Sequence, residues 1–237
     1  MIRLWRHLIA FGFRLLYNEL AWLYDPVSWV VSFGLWRQWQ QTALGYLPPA
    51  PARVLEVATG PGHLLADLAA AGYRATGLEP SRAMLRQARR RAAAAATGAT
   101  AGQGRVTLCR GQAQHLPFAA STFAAVVVTF PTRFIYDPAW LEGLVRVLAP
   151  GGRLVVVETA TLGARDHQGP GRRGCQLATS SLECLYRATG QRGPAPDLPA
   201  LLQDAGLAAW RERIEAGNST ANLVVADLPA GPDRSPR

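Results

Sequence analysis

The feature that most constrains the fold of this chain is an apolar stretch that ends in a tight glycine turn. Residues 54–62 read Val-Leu-Glu-Val-Ala-Thr-Gly-Pro-Gly, and leucines at helical spacing follow at positions 64, 65 and 68. A strand, a glycine loop and a helix in this order bring backbone close to a nucleotide-like ligand, because a Cβ at the glycines would block the approach. We therefore expect a strand and a ligand-binding turn, with an ordinary strand-to-helix turn as the alternative.

A second strand-like segment ends in an acid. Residues 73–79 lead to Glu79, and Pro80 follows as a residue suited to open a helix. A carboxylate at the tip of the second strand, about 20 residues beyond the glycine loop, is placed to accept hydrogen bonds from ribose hydroxyls. We predict that role for Glu79, with a solvated acid or a helix cap as the alternative.

The spacing of the loop and the acid suits two classes of enzyme. The dinucleotide fingerprint Gly-x-Gly-x-x-Gly needs a third glycine where this chain has Leu65. The run from Glu56 through Ala58 and Gly60 to Gly62 instead resembles the Asp/Glu-x-Gly-x-Gly-x-Gly motif of class I S-adenosyl-L-methionine (SAM) dependent methyltransferases. Ala58 stands in place of the first glycine of that motif.

Three later blocks carry the same resemblance in the order of the family. Residues 111–129 are similar to its Gly-Asp-Ala-x-x-Leu-Pro-Phe block and fourth strand, and residues 148–157 to its Pro-Gly-Gly turn and fifth strand. Residues 205–227 are similar to its closing antiparallel pair. The resemblance implies a Rossmann-like, doubly wound α/β domain with seven strands, the last antiparallel, and with SAM as the cofactor.

The resemblance also implies where the methionine and ribose parts of SAM bind. Gly60 and Gly62 would let the backbone approach the methionine part, next to Ala58 in the same loop. Glu56 would orient the loop or the amino group of the cofactor. Glu79 would accept hydrogen bonds from the ribose.

A further group of residues is implied around the adenine and the methyl group. Leu78, Pro80 and Ala113 would border the adenine, and Gln112 would lie at its edge where the family usually has Asp. An amide oxygen accepts a hydrogen bond without a full negative charge, so we expect weaker or repositioned adenine recognition. Residues 129–131, beginning with Thr129, would line the methyl-transfer side.

No general base stands out in the sequence. His167, Tyr24 and Tyr136 are weak catalytic candidates, and His63 is expected to be structural. Because the sulfonium already activates the methyl group, alignment and exclusion of water are the main tasks of the protein. The acceptor is expected to be a small molecule, quinone-like or lipid-like, and no metal is expected.

Residues 1–47 differ from the rest of the chain, since five of its seven tryptophans lie there. Basic and apolar side chains recur at helical spacing from residue 3 to residue 22, which indicates a basic amphipathic helix. The Tyr-Asp, Ser-x-Gly and Arg-x-Trp landmarks of residues 17–39 are similar to the helices that cap the SAM pocket in ubiquinone/menaquinone-type C-methyltransferases. In such a cap most of the five tryptophans are expected to be packing residues.

We divide the chain accordingly. We predict a helical cap over residues 1–47, a SAM-binding domain over residues 48–228 and a disordered tail over residues 229–237. Within the domain, the Gly-, Pro- and Arg-rich composition of the region of about residues 160–200 predicts a lid or substrate region after the fifth strand.

The composition limits the binding partners and the cellular compartment that we expect for this chain. The formal net charge is +9, which favours an acidic partner. The basic helix is expected either to rest on an anionic membrane surface, contacted through residues 1–23, or to pack its apolar face on the catalytic core. Charged residues interrupt the apolar run of that helix well short of about 18 residues, so a membrane span is not expected. The pattern does not indicate nucleic-acid binding. Three cysteines without Cys-x-x-Cys spacing favour a reducing, cytoplasmic compartment, and the oligomeric state stays open.

Three classes of function remain open. The favoured one is a SAM-dependent methyltransferase. The second is a SAM-fold protein that has lost catalysis and acts at a membrane or as a scaffold, an idea that Gln112 and Ala58 support. The third is a nicotinamide-dependent oxidoreductase, which Leu65 and the Leu-Ala-Pro-Gly-Gly sequence of residues 148–152 disfavour.

Overall fold

One sheet organises the chain. The computed structural model describes residues 11–12, 14–97, 104–162, 196–217 and 219–231. The strands are β1 Arg53–Val57, β2 Arg74–Glu79, β3 Arg105–Arg110, β4 Phe123–Thr129, β5 Leu148–Leu162, β6 Ala208–Ala216 and β7 Ser219–Asp227. They lie in the order β3-β2-β1-β4-β5-β7-β6, and all neighbours are parallel except the two pairs that include β7. The predicted seven-stranded, doubly wound sheet with its last strand antiparallel is confirmed.

Helices cover the sheet and its carboxyl edge. They are α1 Tyr24–Ser32, α2 Trp36–Gln41, α3 His63–Ala70, α4 Arg82–Thr97, α5 Pro138–Val147 and α6 Leu198–Asp204, with short 3-10 helices at Ala21–Leu23, Thr42–Tyr46 and Arg133–Tyr136. The helices before β1 form the cap, and the others follow strands as crossover or closing helices.

The helix after β2 begins later than the sequence predicted. Pro80 was expected to open it, but α4 starts at Arg82. The reason is a cap at Ser81, whose Oγ accepts a hydrogen bond from the Met84 N–H at 3.2 Å. A serine at this position satisfies one of the N–H groups that a helix start leaves unpaired, and Pro80 lies outside the helix.

The central strands are buried on both faces. In β1, Leu55 and Val57 join the core on one side of the sheet, while Val54 joins the core on the other side. Such continuous apolar strands are typical of parallel sheets covered by helices on both faces. Because β1, β2 and β4 run in parallel, their carboxyl ends lie side by side, and the strand order reverses between β1 and β4. Ligands of open α/β sheets bind at such a reversal.

Polar contacts fasten the second cap helix to the domain. Arg37 Nη2 on α2 donates to both carboxylate oxygens of Asp67 on α3, at 2.8 and 2.7 Å, and this pair is half-buried. Trp39 Nε1 donates to Ser219 Oγ of β7 at 2.8 Å, and both residues are almost fully buried. A buried hydrogen bond such as the second is costly to break, so it fixes the position of α2 against β7.

A carboxylate at the start of α1 holds the cap to the glycine turn. Asp25 Oδ1 lies 2.9 Å from Nε2 of His63, the first residue of α3, and Oδ2 accepts a hydrogen bond from Arg91 of α4. Burial raises the pKa of Asp25, but the hydrogen bonds and charges of His63 and Arg91 outweigh burial and lower it overall. His63 has a structural contact with Asp25, and it also lines the cavity at the carboxyl ends of the strands.

The cap tryptophans do not share one environment. Trp36 packs against Phe130 with 4.1 Å between ring centroids, and Trp39 is 1% exposed. Trp22 and Trp29 are 69% and 66% exposed. The prediction that most of these rings are packing residues therefore holds for Trp36 and Trp39 and is wrong for Trp22 and Trp29. The remaining ring of the five, at position 5, lies outside the described residues.

Several predictions fall on parts of the chain outside the described residues. These are residues 1–10 of the chain, where the basic helix was predicted to begin, most of the region of about residues 160–200 with its candidate His167, and the last six residues. In the part of the chain that the structure describes, no helix has the length and hydropathy of a bilayer-spanning segment. Cys109 is half-buried on the edge strand β3 and packs against the core.

We expect Gly62→Ala to destabilise the fold more than Gly60→Ala. Both glycines have positive φ, +81° and +54°, so alanine costs about 1–2 kcal/mol of backbone strain at either position. An added methyl at Gly62 would also lie 2.7 Å from Cβ of Ala88 on α4, whereas at Gly60 it meets nothing within 4 Å. That overpacking adds about 1–3 kcal/mol, and urea unfolding measures it. Equal losses in the two variants would contradict the packing role of Gly62.

Candidate functional site

A cavity of about 630 Å³ opens where β1, β2 and β4 end. Ligand pockets are typically about 300–1,000 Å³, so the volume suits a cofactor-sized molecule. Neighbouring strands lie about 4.8 Å apart, which separates the tips of β2 and β4 by roughly 10 Å across β1. An elongated ligand can therefore lie across the three strand ends, at the point where the strand order reverses.

The floor of the cavity is the loop after β1. Ala58, Gly60 and Gly62 all have positive φ, at 56°, 54° and 81°. Gly60 and Ala58 line the cavity, and no atom occupies the place of a Cβ at Gly60. Gly62 lies behind the lining, where its missing side chain allows close packing on Ala88 instead of close approach to a ligand. The alanine methyl at position 58 is exposed in the cavity, at the position where the family motif has glycine.

Glu79 closes the cavity at the tip of β2. Its side chain is 6% exposed; Oε2 accepts the Gly60 N–H at 3.1 Å and Oε1 accepts the Ser81 N–H at 2.9 Å. Burial raises the pKa of Glu79, and these two N–H groups only partly oppose that rise. The carboxylate thus holds the glycine loop against β2, and its remaining lone pairs can accept further hydrogen bonds from a ligand.

Glu56 lies beneath the loop and does not line the cavity. It is 1% exposed, and burial raises its pKa to about 8. Thr59 Oγ1 donates a hydrogen bond to Glu56 Oε2 at 2.5 Å, and Thr59 itself lines the cavity. Glu56 therefore acts on the loop through Thr59.

The cap supplies the wall opposite the glycine loop. Its lining residues are Arg14, Tyr17, Asn18, Tyr24, Trp36 and Gln40. The rings of Tyr17 and Tyr24 lie 5.7 Å apart. Burial, and next the charge of Glu79, raises the pKa of Tyr17 to about 12, and burial also raises the pKa of Tyr24. Both phenols are therefore protonated at neutral pH, which argues against Tyr24 as a general base.

The end of the cavity next to β4 is aromatic. Phe130, directly after β4, has a φ of 50°, a strained value for a residue other than glycine. Its ring packs against Trp36, and Phe134 also lines this end. Gln40 Nε2 donates to Thr129 Oγ1 at 3.2 Å. This end of the cavity can contact a flat apolar group through its rings and a polar group through Gln40 and Thr129.

The structure brings most of the predicted cofactor residues together. Those that line the cavity are Ala58, Gly60, Leu78, Glu79, Pro80, Gln112, Ala113 and Thr129, while Glu56 and Gly62 lie behind it. Pro131 is not part of the lining either. Of the catalytic candidates, Tyr24 lines the cavity, Tyr136 packs against the core outside it, and His167 lies outside the described residues.

Sequence reasoning missed a group of lining residues. They are Arg14, Tyr17, Asn18, Gln40 and Ser81. A signal was present for the first three, because residues three and four apart share one face of a helix. The sequence could not show that this face turns toward the cavity, since that depends on how the cap docks. Ser81 combines two roles, because its Oγ also donates to the Tyr17 carbonyl at 2.6 Å.

Comparison with known proteins agrees with this geometry. Residues 54–152 match the family model described as "Methyltransferase domain". The chain is 37% identical over 149 residues to a ubiquinone/menaquinone biosynthesis C-methyltransferase of Syntrophotalea carbinolica, covering 61% of this chain and 60% of that protein. It is 37% identical over 147 residues to a demethylmenaquinone methyltransferase of Thermus thermophilus, covering 60% and 64% of the two chains. The predicted resemblance is confirmed, although the chain spans only about three fifths of the length of these relatives.

A solved structure shows the same fold. Phosphoethanolamine N-methyltransferase 2 of Haemonchus contortus, in complex with S-adenosyl-L-methionine, superposes with a TM-score of 0.57 at 15% sequence identity. The match covers 83% of this chain and 53% of that protein. At this identity the likeness concerns the fold.

The raised pKa of Glu56 predicts how stability depends on pH. Unfolding returns the carboxyl to its ordinary pKa of 4.5, whereas the folded value is about 8, so the folded chain binds more protons between these values. Wild-type stability should therefore fall as pH rises from about 5 to 8, relative to Glu56→Gln, which does not titrate and keeps an acceptor for Thr59. Urea unfolding of both proteins at pH 5, 7 and 9 measures the difference. A difference that does not change with pH would show that Glu56 is ionised in the folded protein.

Proposed function

We propose that this chain transfers the methyl group of SAM to a small-molecule acceptor. The premise is that residues 54–152 belong to the methyltransferase domain family. The domain is of the class I type, whose cofactor is SAM. One observation carries this proposal: a single cavity joins the glycine loop and Glu79 to the aromatic end beside Phe130. A cofactor and an acceptor can therefore meet above the tip of β1.

We assign the parts of the cofactor by the contacts that the lining offers. The methionine part would lie over the loop of residues 58–62, and the ribose hydroxyls would bond to Glu79. Leu78 and Ala113 would border the adenine, with the amide of Gln112 at its edge. The reactive methyl group would then point toward Thr129, at the end of the cavity that the cofactor leaves free.

The acceptor that this end fits is a planar, quinone-like ring. The rings of Trp36, Phe130 and Phe134 provide flat apolar contacts. One relative is named a ubiquinone/menaquinone biosynthesis C-methyltransferase and another a demethylmenaquinone methyltransferase, and both names support the same class of acceptor. The cofactor supplies a methyl group that its sulfonium has already activated. The protein's contribution is to align the acceptor and to cover it with the cap, which excludes water.

Glu79→Ala should weaken SAM binding by roughly tenfold to several hundredfold, because a hydrogen bond to a charged group contributes about 1.5–3 kcal/mol. Since both Glu79 oxygens accept backbone N–H groups, from Gly60 and Ser81, Glu79→Gln is the control that keeps the side-chain size and one acceptor oxygen while removing the charge. Calorimetry with SAM and, separately, with NADH measures the affinities, and thermal unfolding checks the fold. Unchanged SAM affinity in a folded Glu79→Ala variant would remove the ribose assignment.

Turnover separates an enzyme from a protein that only binds SAM. Quinone and lipid extracts incubated with the full chain and methyl-labelled SAM should yield a labelled product detectable by mass spectrometry. Tight SAM binding without any labelled product would favour the scaffold alternative. Binding of NADH in place of SAM would favour the oxidoreductase.

We also propose that the cap rests on an anionic membrane surface, the environment of a lipid-like acceptor. Exposed apolar side chains support this proposal; they are Phe11, Leu20, Trp22, Val27, Trp29, Val30 and Phe33. Contiguous apolar side chains on a surface mark interaction sites, and tryptophan suits the membrane interface. The net charge of +9 complements an anionic surface. The cytoplasmic location expected from the cysteine pattern stays a prediction.

Vesicle co-sedimentation tests this surface. Phosphatidylglycerol vesicles should bind the chain strongly at low salt and less strongly at high salt, because salt screens the attraction of the Arg residues. The double variant Trp22→Ser, Trp29→Ser should bind less while keeping SAM affinity, since neither ring lines the cavity. Phosphatidylcholine vesicles, which carry no net charge, are the control for this electrostatic attraction and should bind the chain less strongly. If the wild-type chain ignores both kinds of vesicle, the membrane proposal and the lipid-like acceptor should be dropped.

A further inference from the structure

Two buried polar atoms, on residues that line the cavity, have no hydrogen-bond partner among the described residues. They are Nε1 of Trp36 and Oε1 of Gln40, and both residues line the aromatic end. Two other buried side-chain atoms share this condition, on Arg37 and Trp140, but neither of those residues lines the cavity. Buried polar atoms are rarely left unpaired, because water bonded to them in the unfolded chain. In a ligand cavity such atoms indicate what the ligand supplies.

The two atoms lie on neighbouring side chains of one helix. Trp36 and Gln40 are four residues apart on α2, so their side chains lie on the same face of the helix. The indole packs against Phe130, with 4.1 Å between the ring centroids and 31° between the ring planes. The amide is held at its other end, because Nε2 donates to Thr129 Oγ1 at 3.2 Å. Gln40 is 8% exposed, so bulk water does not replace the missing partner of its Oε1.

The chemistry of these atoms defines the missing partner. An indole N–H can donate a hydrogen bond but cannot accept one, and an amide oxygen can accept hydrogen bonds but cannot donate them. A hydroxyl group does both, because its oxygen accepts while its hydrogen donates. A carboxylate would accept from Trp36 but has no hydrogen to donate to the Gln40 oxygen. An ammonium group would donate to the Gln40 oxygen but has no lone pair to accept from Trp36. A neutral hydroxyl therefore fits both positions.

We infer that Trp36 and Gln40 recognise a phenolic or enolic hydroxyl of the methyl acceptor, an inference that rests on the proposed methyl-transfer function. The hydroxyl accepts from Trp36 Nε1 and donates to Gln40 Oε1, while the ring that carries it packs against Phe130. Both protein atoms are shut off from water in the unliganded cavity, so a small side-chain rotation accompanies binding. This pair selects a hydroxylated, reduced ring over the corresponding ketone or ether.

Binding of two matched probes tests the inference. The probes are 1-naphthol, which carries the hydroxyl, and 1-methoxynaphthalene, which cannot donate a hydrogen bond. Calorimetry uses the full chain saturated with S-adenosylhomocysteine. Wild type should bind 1-naphthol at least tenfold more tightly than the ether. Trp36→Phe and Gln40→Met should each weaken 1-naphthol binding by about threefold to tenfold, with little effect on the ether.

Two variants serve as matched controls. Trp140→Phe removes an unpartnered indole N–H that does not line the cavity. Gln41→Met removes a glutamine of the same helix whose Nε2 donates to Asp67 at 3.2 Å, away from the lining. Both should keep the wild-type preference for 1-naphthol. SAM affinity should be unchanged in all four variants, because Trp36 and Gln40 lie at the acceptor end.

The outcomes separate this inference from the function on which it rests. If wild type binds SAM but shows no preference for 1-naphthol, the inference is wrong and the methyl-transfer function stands. The inference is also wrong if Trp36→Phe and Gln40→Met weaken SAM binding and leave the probe preference intact, because the two atoms then serve the cofactor. A wild-type chain that does not bind SAM would overturn the proposed function itself.

Discussion

The carboxylate of Glu79 is the contact on which the rest of the site depends. One of its oxygens holds the N–H of Gly60, and the other holds the N–H of Ser81 at the start of α4. Ser81 in turn donates its hydroxyl hydrogen to the carbonyl of Tyr17 in the cap. The glycine loop, the tip of β2, a crossover helix and the cap are therefore linked through one buried acid. Burial makes its charge costly, and the two N–H groups offset part of that cost.

Two of the four described non-glycine residues with positive φ lie at the same edge of the sheet. Ala58 and Phe130, at the ends of β1 and β4, both have positive φ without being glycine. Such residues persist only where the surrounding structure holds them, and they are common at ligand sites. Phe130 is held by Trp36 of the cap, and Ala58 lies in the loop that Glu79 fixes through Gly60. The two strained positions thus lie on either side of the place where cofactor and acceptor would meet.

The cap has two faces with different physical characters. Its inner face presents Trp36 and Gln40 to the cavity and buries Trp39 against Ser219 of β7. Its outer face leaves Trp22 and Trp29 in solvent. The same group of cap helices thus carries both the exposed apolar side chains and the lining residues Trp36 and Gln40. The proposed membrane contact and the proposed acceptor contact would therefore share one structural element.

The sequence by itself predicted the sheet and the strand ends that line the cavity. Gly60 and Glu79 were predicted from local pattern, because each follows or ends a short apolar strand. Gln112 and the antiparallel β7 were predicted from the family resemblance. Local pattern failed at Pro80, because a cap at Ser81 decides where α4 begins, and a single side-chain hydrogen bond leaves little trace in the pattern.

Only the tertiary structure decided the acceptor end. Tryptophans at positions 22, 29, 36 and 39 look alike in the sequence, yet two are exposed and two are packed. Their environments depend on how α1 and α2 dock, and docking is set by distant pairs such as Arg37 with Asp67 and Asp25 with His63 and Arg91. The residues of each pair lie far apart in the chain, so the periodicity of a single helix or strand does not reveal that they are in contact. The unpaired atoms of Trp36 and Gln40 became visible only once those contacts had placed α2 against β4.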